Sequence, residues 1–208
     1  MIIIVDYGLG NLRSICAALE RLAVPYECSA NPSIISKASG VILPGVGAFP
    51  DGMRNLNRLG LIDVLNNLVL IEKKPVLGIC LGFHLMATRG EEFEMTNGLD
   101  WIPAQVVKMK STSDQIKIPH VGWNDCVLNI ESPIFNDLEK NELFYFTHSY
   151  HMQCTDPNKA IALSVHGNQF VSAIQHENIF GTQFHPEKSQ LAGLTVLKNF
   201  AKTVTLSC

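Results

Sequence analysis

Short apolar runs that end in turns recur through the first half of the chain, and they constrain the fold more than any other feature. The segments 2–5, 40–43 and 76–79 are uncharged and consist mostly of valine, isoleucine and leucine. Runs of this kind, without alternation of polar and apolar residues, are typical of strands buried on both faces, as in parallel sheets. The first half therefore reads as a series of buried strands.

Helical patterns follow these runs. Asn11 is a residue type that caps helices, and an apolar stripe follows it at Leu12, Ile15, Leu19 and Leu22. Further helical patterns cover 61–71 and begin again at Leu81. Repeated strand–helix units with right-handed crossovers predict an α/β fold with a mostly parallel, doubly wound sheet.

The second half changes to strand-like segments separated by short turns, which predicts antiparallel additions to the sheet. A final helix is indicated by Leu191, Leu194, Leu197 and Phe200. No repeat, low-complexity segment or linker divides the chain, so we expect a single domain over 1–208. The predicted strands are 104–109, 116–121, 143–147, 160–165, 170–175 and 179–184.

Charge and hydropathy exclude several classes of protein. Lys and Arg number 16 against 19 Asp and Glu, so the chain lacks the basic footprint of a nucleic-acid binder. No apolar run has the length of a membrane span, and the start lacks the basic, apolar pattern of a signal peptide. We expect a cytoplasmic protein without a nucleic-acid or membrane partner.

Six cysteines are present, and no two form a C-x-x-C pair. Their wide spacing predicts reduced thiols, with neither a zinc site nor a redox dithiol, and no sequence pattern calls for a metal or another cofactor. Five of them are expected to be packing or surface thiols: Cys16, Cys28, Cys126, Cys154 and Cys208.

The sixth cysteine, Cys80, lies in the segment Gly78-Ile79-Cys80-Leu81-Gly82 between a predicted strand and a predicted helix. This is the cysteine version of a nucleophile elbow, in which small residues on either side allow a sharp turn. The helix N-terminus would favour the thiolate, and the Leu81 N–H would point toward a developing oxyanion. The alternative is a buried core cysteine at a strand end.

A cysteine nucleophile requires a base and a group that orients the base. His185 and Glu187 follow the apolar run 179–184, with Pro186 between them. In an extended segment, residues two apart project to the same side, so both side chains can face one site. The alternative is an ordinary surface pair of histidine and glutamate.

A third segment, Pro44-Gly45-Val46-Gly47, also ends an apolar strand. Its backbone N–H groups could stabilise an oxyanion, with Val46 and Gly47 as the candidates. It is not a phosphate loop, because no Gly-Lys-Ser/Thr follows it. An ordinary strand–helix turn is the alternative.

The three segments, in this order, resemble the class I, triad-type glutamine amidotransferases. Within that family the chain is similar to the glutaminase subunits of imidazole glycerol phosphate synthases in histidine biosynthesis, from about Ile3 to Phe200. Further segments support the resemblance: 6–12, 119–124, 145–150 and 181–189.

The resemblance implies roles for particular residues. Cys80 would attack glutamine, His185 would act as base and then acid, and Glu187 would orient His185. Ammonia would pass to a (β/α)8-barrel cyclase subunit in a heterodimer, and no cofactor is implied. Where the family usually has a substrate-holding glutamine, this chain has His84, so we expect reduced glutamine affinity. Partner-facing positions are matched by Pro119, His120, Trp123, Asn124 and Lys188.

Two other functions are compatible with these motifs. A paralogous glutaminase could supply ammonia for sugar amidation in surface-polysaccharide synthesis. Alternatively, a non-catalytic subunit could keep the fold as a docking module for the barrel, with His84 having ended efficient glutamine hydrolysis.

Overall fold

A computed structural model describes residues 1–111, 113 and 116–206 of the chain. The thiol of Cys208 lies outside the described residues. Up to Leu85, each strand is followed by one or more helices. The strands are β1 (Ile2–Val5), β2 (Tyr26–Ser29), β3 (Gly40–Leu43), β4 (Val76–Ile79), β5 (Ala87–Gly90), β6 (Thr96–Asn97), β7 (Ile102–Lys108), β8 (His120–Leu128), β9 (Asn141–His148), β10 (Tyr150–Cys154), β11 (Ala160–His166), β12 (Asn168–His176) and β13 (Ile179–Thr182). The helices are α1 (Leu12–Arg21), α2 (Pro32–Ile35), α3 (Phe49–Arg58), α4 (Leu61–Asn66), α5 (Leu81–Leu85) and α6 (Gln190–Leu206).

A nine-stranded sheet in the order β2-β1-β3-β4-β13-β12-β11-β8-β9 organises the fold. Neighbouring strands are parallel from β2 through to β13 and antiparallel from β13 to β9. The predicted α/β fold with antiparallel additions in the second half is confirmed. A smaller sheet in the order β10-β7-β5-β6 was not predicted, and its strand β10 lies against β12.

Both faces of the parallel strands are covered, which explains why their sequences are apolar without alternation. Along β1, Ile3 and Val5 pack with residues of α3, α4 and α5, while Ile2 and Ile4 pack with residues of α1 and α6. The sheet is therefore doubly wound, as predicted. None of the helices among the described residues is long and apolar enough to cross a membrane.

Several element boundaries differ from the predictions. The segment 116–121 is not a strand until His120, because Pro119 has no N–H to donate to a neighbouring strand. The helix predicted over 61–71 is α-helical only to Asn66 and continues as a wider π turn. Asn11 occupies the N-cap position of α1, yet its side chain makes no capping hydrogen bond.

Three adjacent parallel strands, β3, β4 and β13, end at one edge of the sheet. Leu43 pairs in register with Gly78, and Ile79 with Thr182. Open α/β sheets bind ligands beyond the carboxyl ends of their strands. The three segments that follow these strands, 44–47, 80–82 and 183–187, therefore meet at this edge.

Candidate active site

Cys80 occupies a sharp turn between β4 and α5. Its φ of 53° and ψ of −105° lie outside the conformations that non-glycine residues ordinarily adopt. Its N–H donates to the Thr182 carbonyl at 2.8 Å, and its Sγ lies 3.8 Å from the Thr147 carbonyl. The strained turn predicted from the sequence is present, and α5, with five residues, is too short to provide a full helix dipole.

The glycines on either side of Cys80 allow the turn to close. A Cβ at Gly82 would overlap the carbonyl oxygen of Leu43, and a Cβ at Gly78 would lie 2.8 Å from the Phe83 backbone. Both contacts are with backbone atoms, which cannot move aside cheaply. Small residues at these two positions are therefore required by packing, as the sequence argument proposed.

His185 and Glu187 form a buried pair. The His185 Nδ1 lies 2.8 Å from the Glu187 Oε1, and the two side chains are 1% and 2% exposed. Within the described residues, the His185 Nε2 has no hydrogen-bond partner. His185 itself is extended, with a φ of −96° and a ψ of 97°, as predicted. Pro186–Lys188 form a 3₁₀ turn in place of the rest of the predicted extended segment, and the predicted contact between His185 and Glu187 is made.

The charge state of His185 follows from its neighbours. Burial alone lowers the pKa of an imidazole, but interaction with Cys80 and Glu187 outweighs burial and raises the pKa of His185 to about 10. At neutral pH the ring is therefore an imidazolium beside the cysteine. Nδ1–H donates to Glu187, and Nε2–H is left to face a reacting group.

A second set of hydrogen bonds fixes the backbone of His185. Its N–H donates to the Tyr145 carbonyl at 2.9 Å. The Ser189 hydroxyl donates to the His185 carbonyl at 2.6 Å and accepts from the Tyr145 N–H at 3.0 Å. Ser189 thus ties the turn that carries the histidine to β9.

The loop 44–47 lies against α5. The buried Tyr7 hydroxyl donates to the Pro44 carbonyl at 2.7 Å, and Gly47 has a φ of +123°, a conformation that favours glycine. The Leu81 N–H, a predicted oxyanion donor, donates to the Gly45 carbonyl at 3.3 Å. This bond is long, and it occupies the N–H that the sequence predicts as an oxyanion donor.

A cavity of about 360 Å³ opens beside the cysteine. The predicted substrate-binding residues all line it: Val46, Gly47, Leu81 and His84. Glu92 and Tyr150 line it as well, and neither was singled out from the sequence. Glu92 is held by the Phe49 N–H at 2.8 Å, and burial raises the pKa of its carboxyl.

His84 is fixed behind the cavity. Its Nε2 lies 2.7 Å from the Gln183 Oε1, which only accepts, so Nε2 carries the proton. Burial lowers the pKa of His84 to about 4, despite the hydrogen bond that His84 donates to Gln183. His84 is therefore neutral. Gln183, which was not identified from the sequence, is fully buried and lies two residues before His185.

A chain of hydrogen bonds joins β8 to the rim of the cavity. The Asn124 amide donates to the His120 Nε2 at 3.2 Å, and the His120 Nδ1 lies 2.9 Å from the His148 Nε2. The His148 Nδ1 in turn donates to the Tyr150 carbonyl at 2.8 Å. Burial lowers the pKa of both histidines, to about 4 for His120, so both rings are neutral.

The residues predicted to face a partner separate into two groups. His120 is stacked between the Phe146 and His166 rings and is only 4% exposed. Its side chain therefore does not face a partner as predicted, and it instead contacts Asn124 from the interior. Pro119 and Trp123 are exposed, and Asn124 and Lys188 are partly exposed. Two side chains of this second group contact the Tyr145 ring: the Lys188 ammonium and the Trp123 ring.

Comparisons with known proteins agree with this geometry. The family model described as "Glutamine amidotransferase class-I" matches residues 3–204. Imidazole glycerol phosphate synthase subunit HisH 2 of Methanococcus maripaludis is 45% identical over 97% of this chain and 99% of its own length. Subunit HisH 1 of Campylobacter jejuni is 42% identical over 97% of this chain and all of its own length.

A solved structure extends the likeness to the fold. PurLQS from Thermotoga maritima superimposes with a TM-score of 0.70, at 19% identity, over 97% of each chain. The family match covers nearly the whole chain, and the HisH relatives match it from end to end at more than 40% identity. The chain therefore belongs to the class I glutamine amidotransferases and, within them, to the HisH subunits of imidazole glycerol phosphate synthase.

Proposed function

We propose that this chain is the glutaminase subunit of an imidazole glycerol phosphate synthase. In this proposal it hydrolyses glutamine to glutamate and ammonia and delivers the ammonia to a (β/α)8-barrel cyclase. The observation that carries it is the buried His185, which is bonded to Glu187 through Nδ1 and interacts with Cys80 at a strained turn. Among the described residues, its Nε2 has no other partner.

The first half-reaction forms a thioester. The Cys80 thiolate attacks the carboxamide carbon of glutamine, and the carbonyl oxygen becomes an oxyanion. The His185 imidazolium then gives its Nε2 proton to the amide nitrogen as the C–N bond breaks. Ammonia leaves, and the glutamyl group stays on sulfur.

The second half-reaction uses the histidine in the opposite direction. Neutral His185 takes a proton from water, the resulting hydroxide attacks the thioester carbon, and the C–S bond breaks. Glutamate leaves, and the thiolate–imidazolium pair is restored. Glu187 keeps Nδ1 protonated in both steps, so that Nε2 is always the nitrogen that exchanges the proton.

Substrate binding draws on the cavity lining. The Glu92 carboxylate would pair with the α-ammonium of glutamine. This positive charge would favour the ionised carboxylate and so counter burial, which raises the pKa of Glu92. The Nε2–H of neutral His84 donates its hydrogen bond to Gln183, so this nitrogen has no hydrogen to donate to the substrate. This supports the expectation of reduced glutamine affinity.

Oxyanion stabilisation is incomplete without a rearrangement. The N–H of Leu81 is directed at the Gly45 carbonyl, which an oxyanion would have to displace. Docking of the barrel next to Gly47 is proposed to move the loop 44–47 and free this donor. The isolated chain should then turn over glutamine slowly.

The barrel is proposed to dock on the surface that carries Pro119, Trp123, Asn124 and Lys188. Through the chain of hydrogen bonds behind it, this surface is connected to His148 and the rim of the cavity. Docking there would also cover the open side of the cavity and keep ammonia from water.

The two alternative functions are less well supported. A docking module without catalysis would have no use for a buried histidine–glutamate pair, whose desolvation costs stability. Supply of ammonia for sugar amidation is not favoured, because the relatives compared above are named as subunits of imidazole glycerol phosphate synthase.

The test is a glutaminase assay with and without the barrel subunit. We expect slow ammonia release from the isolated chain, a large increase with the barrel, and none above background for Cys80→Ala. Cys154→Ala removes a partly buried thiol on β10 and serves as the matched control. Unchanged ammonia release in Cys80→Ala would contradict the proposed mechanism.

A further inference from the structure

Two cysteines outside the active site lie against each other. Cys16 is on α1, Cys28 is on β2 at the edge of the nine-stranded sheet, and their sulfur atoms are 3.3 Å apart. Cys28 is exposed, and Cys16 is partly exposed. By contrast, Cys126 is buried, and its sulfur is hydrogen-bonded to Ser164. The pair is therefore both close together and open to solvent.

The spacing of the two sulfurs is close to that of a disulfide. A disulfide requires about 2.05 Å between the sulfurs, so the atoms must approach by about 1.3 Å. Rotation of the two side chains is expected to bring the sulfurs this much closer. The two cysteines are twelve residues apart in sequence, so they form no C-x-x-C motif. For this reason the sequence predicted no redox dithiol.

We infer that Cys16 and Cys28 are a redox-active dithiol that small-molecule disulfides oxidise to an intramolecular disulfide. In the first step the Cys16 thiolate attacks one sulfur of the oxidant R–S–S–R, forming a mixed disulfide and releasing R–S⁻. In the second, Cys28 loses its proton and attacks the Cys16 sulfur, releasing the second R–S⁻. The protein loses two protons and two electrons, and the oxidant becomes two thiols.

The surroundings of the pair determine the order of attack. Although the Cys28 side chain is exposed, partial desolvation of its sulfur, the hydrogen bond with Cys16 and the nearby charges of Asp6 and Glu27 raise the pKa of Cys28 to about 12. A thiol that keeps its proton is the poorer nucleophile, so the first attack is assigned to Cys16. The Glu20 carboxylate, bonded to Tyr26, adds a third negative charge close by.

These acidic side chains also select the oxidant. A cationic disulfide such as cystamine is attracted to the pair, whereas the anionic oxidised glutathione is repelled. Uncharged hydroxyethyl disulfide should react at an intermediate rate. We expect cystamine to react several times faster than oxidised glutathione at low ionic strength, with the difference shrinking as salt is added.

Oxidation would link α1 covalently to β2, at the edge of the sheet. The disulfide closes the segment 16–28, which contains the end of α1 and the start of β2, and this restricts the unfolded chain. For a chain of this size we expect the unfolding temperature to rise by about 6–12 °C. Reduction with dithiothreitol should return it to the starting value.

The experiment treats the full-length reduced protein with cystamine, alkylates the remaining thiols and maps tryptic peptides by mass spectrometry. We expect peptides 14–21 and 22–37 to be joined by a disulfide. The same mapping in Cys80→Ala separates this reaction from modification of the proposed nucleophile. Cys154→Ser, which removes another partly buried thiol, should leave the cross-link unchanged, and Cys28→Ser should hold cystamine on Cys16 as a stable mixed disulfide.

The inference fails if the linked peptides do not form, whether both thiols stay alkylatable or each carries its own cystamine adduct. A rate with oxidised glutathione that equals the rate with cystamine would overturn the electrostatic selection. The disulfide should also form in Cys80→Ala, which lacks the proposed nucleophile. The result of this experiment therefore does not depend on the glutaminase assignment.

Discussion

Replacing Glu187 with glutamine removes one charge from the proposed triad and keeps its shape. The glutamine side-chain oxygen can still accept from the His185 Nδ1, so the ring should hold its orientation. What is lost is the negative charge 2.8 Å from that nitrogen, between side chains that are 1% and 2% exposed. The change therefore isolates the electrostatic part of the interaction.

The magnitude follows from this geometry. Two unit charges centred about 4 Å apart attract by about 4 kcal/mol at an effective dielectric constant of 20, which corresponds to about 3 pKa units. The pKa of His185, raised to about 10 in the protein by Cys80 and Glu187, should thus fall in Glu187→Gln. The same energy sets an upper limit of about 1000-fold on the loss of kcat, and we expect about 100-fold.

The assay is steady-state glutaminase activity of the complex with the barrel from pH 6 to pH 10. Because a raised histidine pKa preserves the imidazolium up to that pKa, the basic limb of kcat should move to lower pH in the variant. KM should change little, since Glu187 is not among the described residues that line the cavity. Glu177→Gln, an exposed carboxylate bonded to Lys73, is the control. An unchanged kcat, or an effect on KM alone, would refute the reasoning.

Three further substitutions test other parts of the site. His84→Gln should lower the glutamine KM severalfold, because the oxygen and the NH2 group of a side-chain amide can bond the substrate and Gln183 at the same time. An unchanged or higher KM in a substrate titration would count against the proposed effect of His84 on glutamine binding. Gly82→Ala should destabilise the protein by about 3 kcal/mol in urea unfolding, since its Cβ meets the Leu43 carbonyl. A loss below about 1 kcal/mol would show that the turn is not so tightly constrained. Ser189→Ala breaks two hydrogen bonds at the turn that carries His185. It should therefore lower the free energy of unfolding by about 1–2 kcal/mol and lower kcat more than it raises KM. Equal changes in kcat and KM would argue against a positioning role for Ser189.

The parallel half of the fold could be predicted well because its strands are short, apolar and buried on both faces. The segments 2–5, 40–43 and 76–79 match β1, β3 and β4 in their bounds. The strands β2, β5, β6 and β10 were not predicted, because polar residues interrupt their patterns. The last three are defined by pairing in a second sheet. Tertiary contacts, which local patterns do not record, determine such elements.

The active-site segments were identifiable because each follows a strand that ends at the same sheet edge. Their detailed conformation was less predictable: Pro186 begins a 3₁₀ turn, yet His185 and Glu187 still meet. The burial of His120 could not be anticipated either, since its stacking partners come from β9 and β11. Glu92 had no signal in the sequence, because its role depends on the cavity.

The most direct test of the account is to trap the covalent intermediate. The complex with the barrel is quenched in acid while it turns over glutamine, digested with trypsin and examined by mass spectrometry. The account predicts a glutamyl thioester on Cys80, within the peptide 74–89, and its disappearance in Cys80→Ala together with ammonia release. A glutamyl group on another residue, or continued turnover without Cys80, would contradict it.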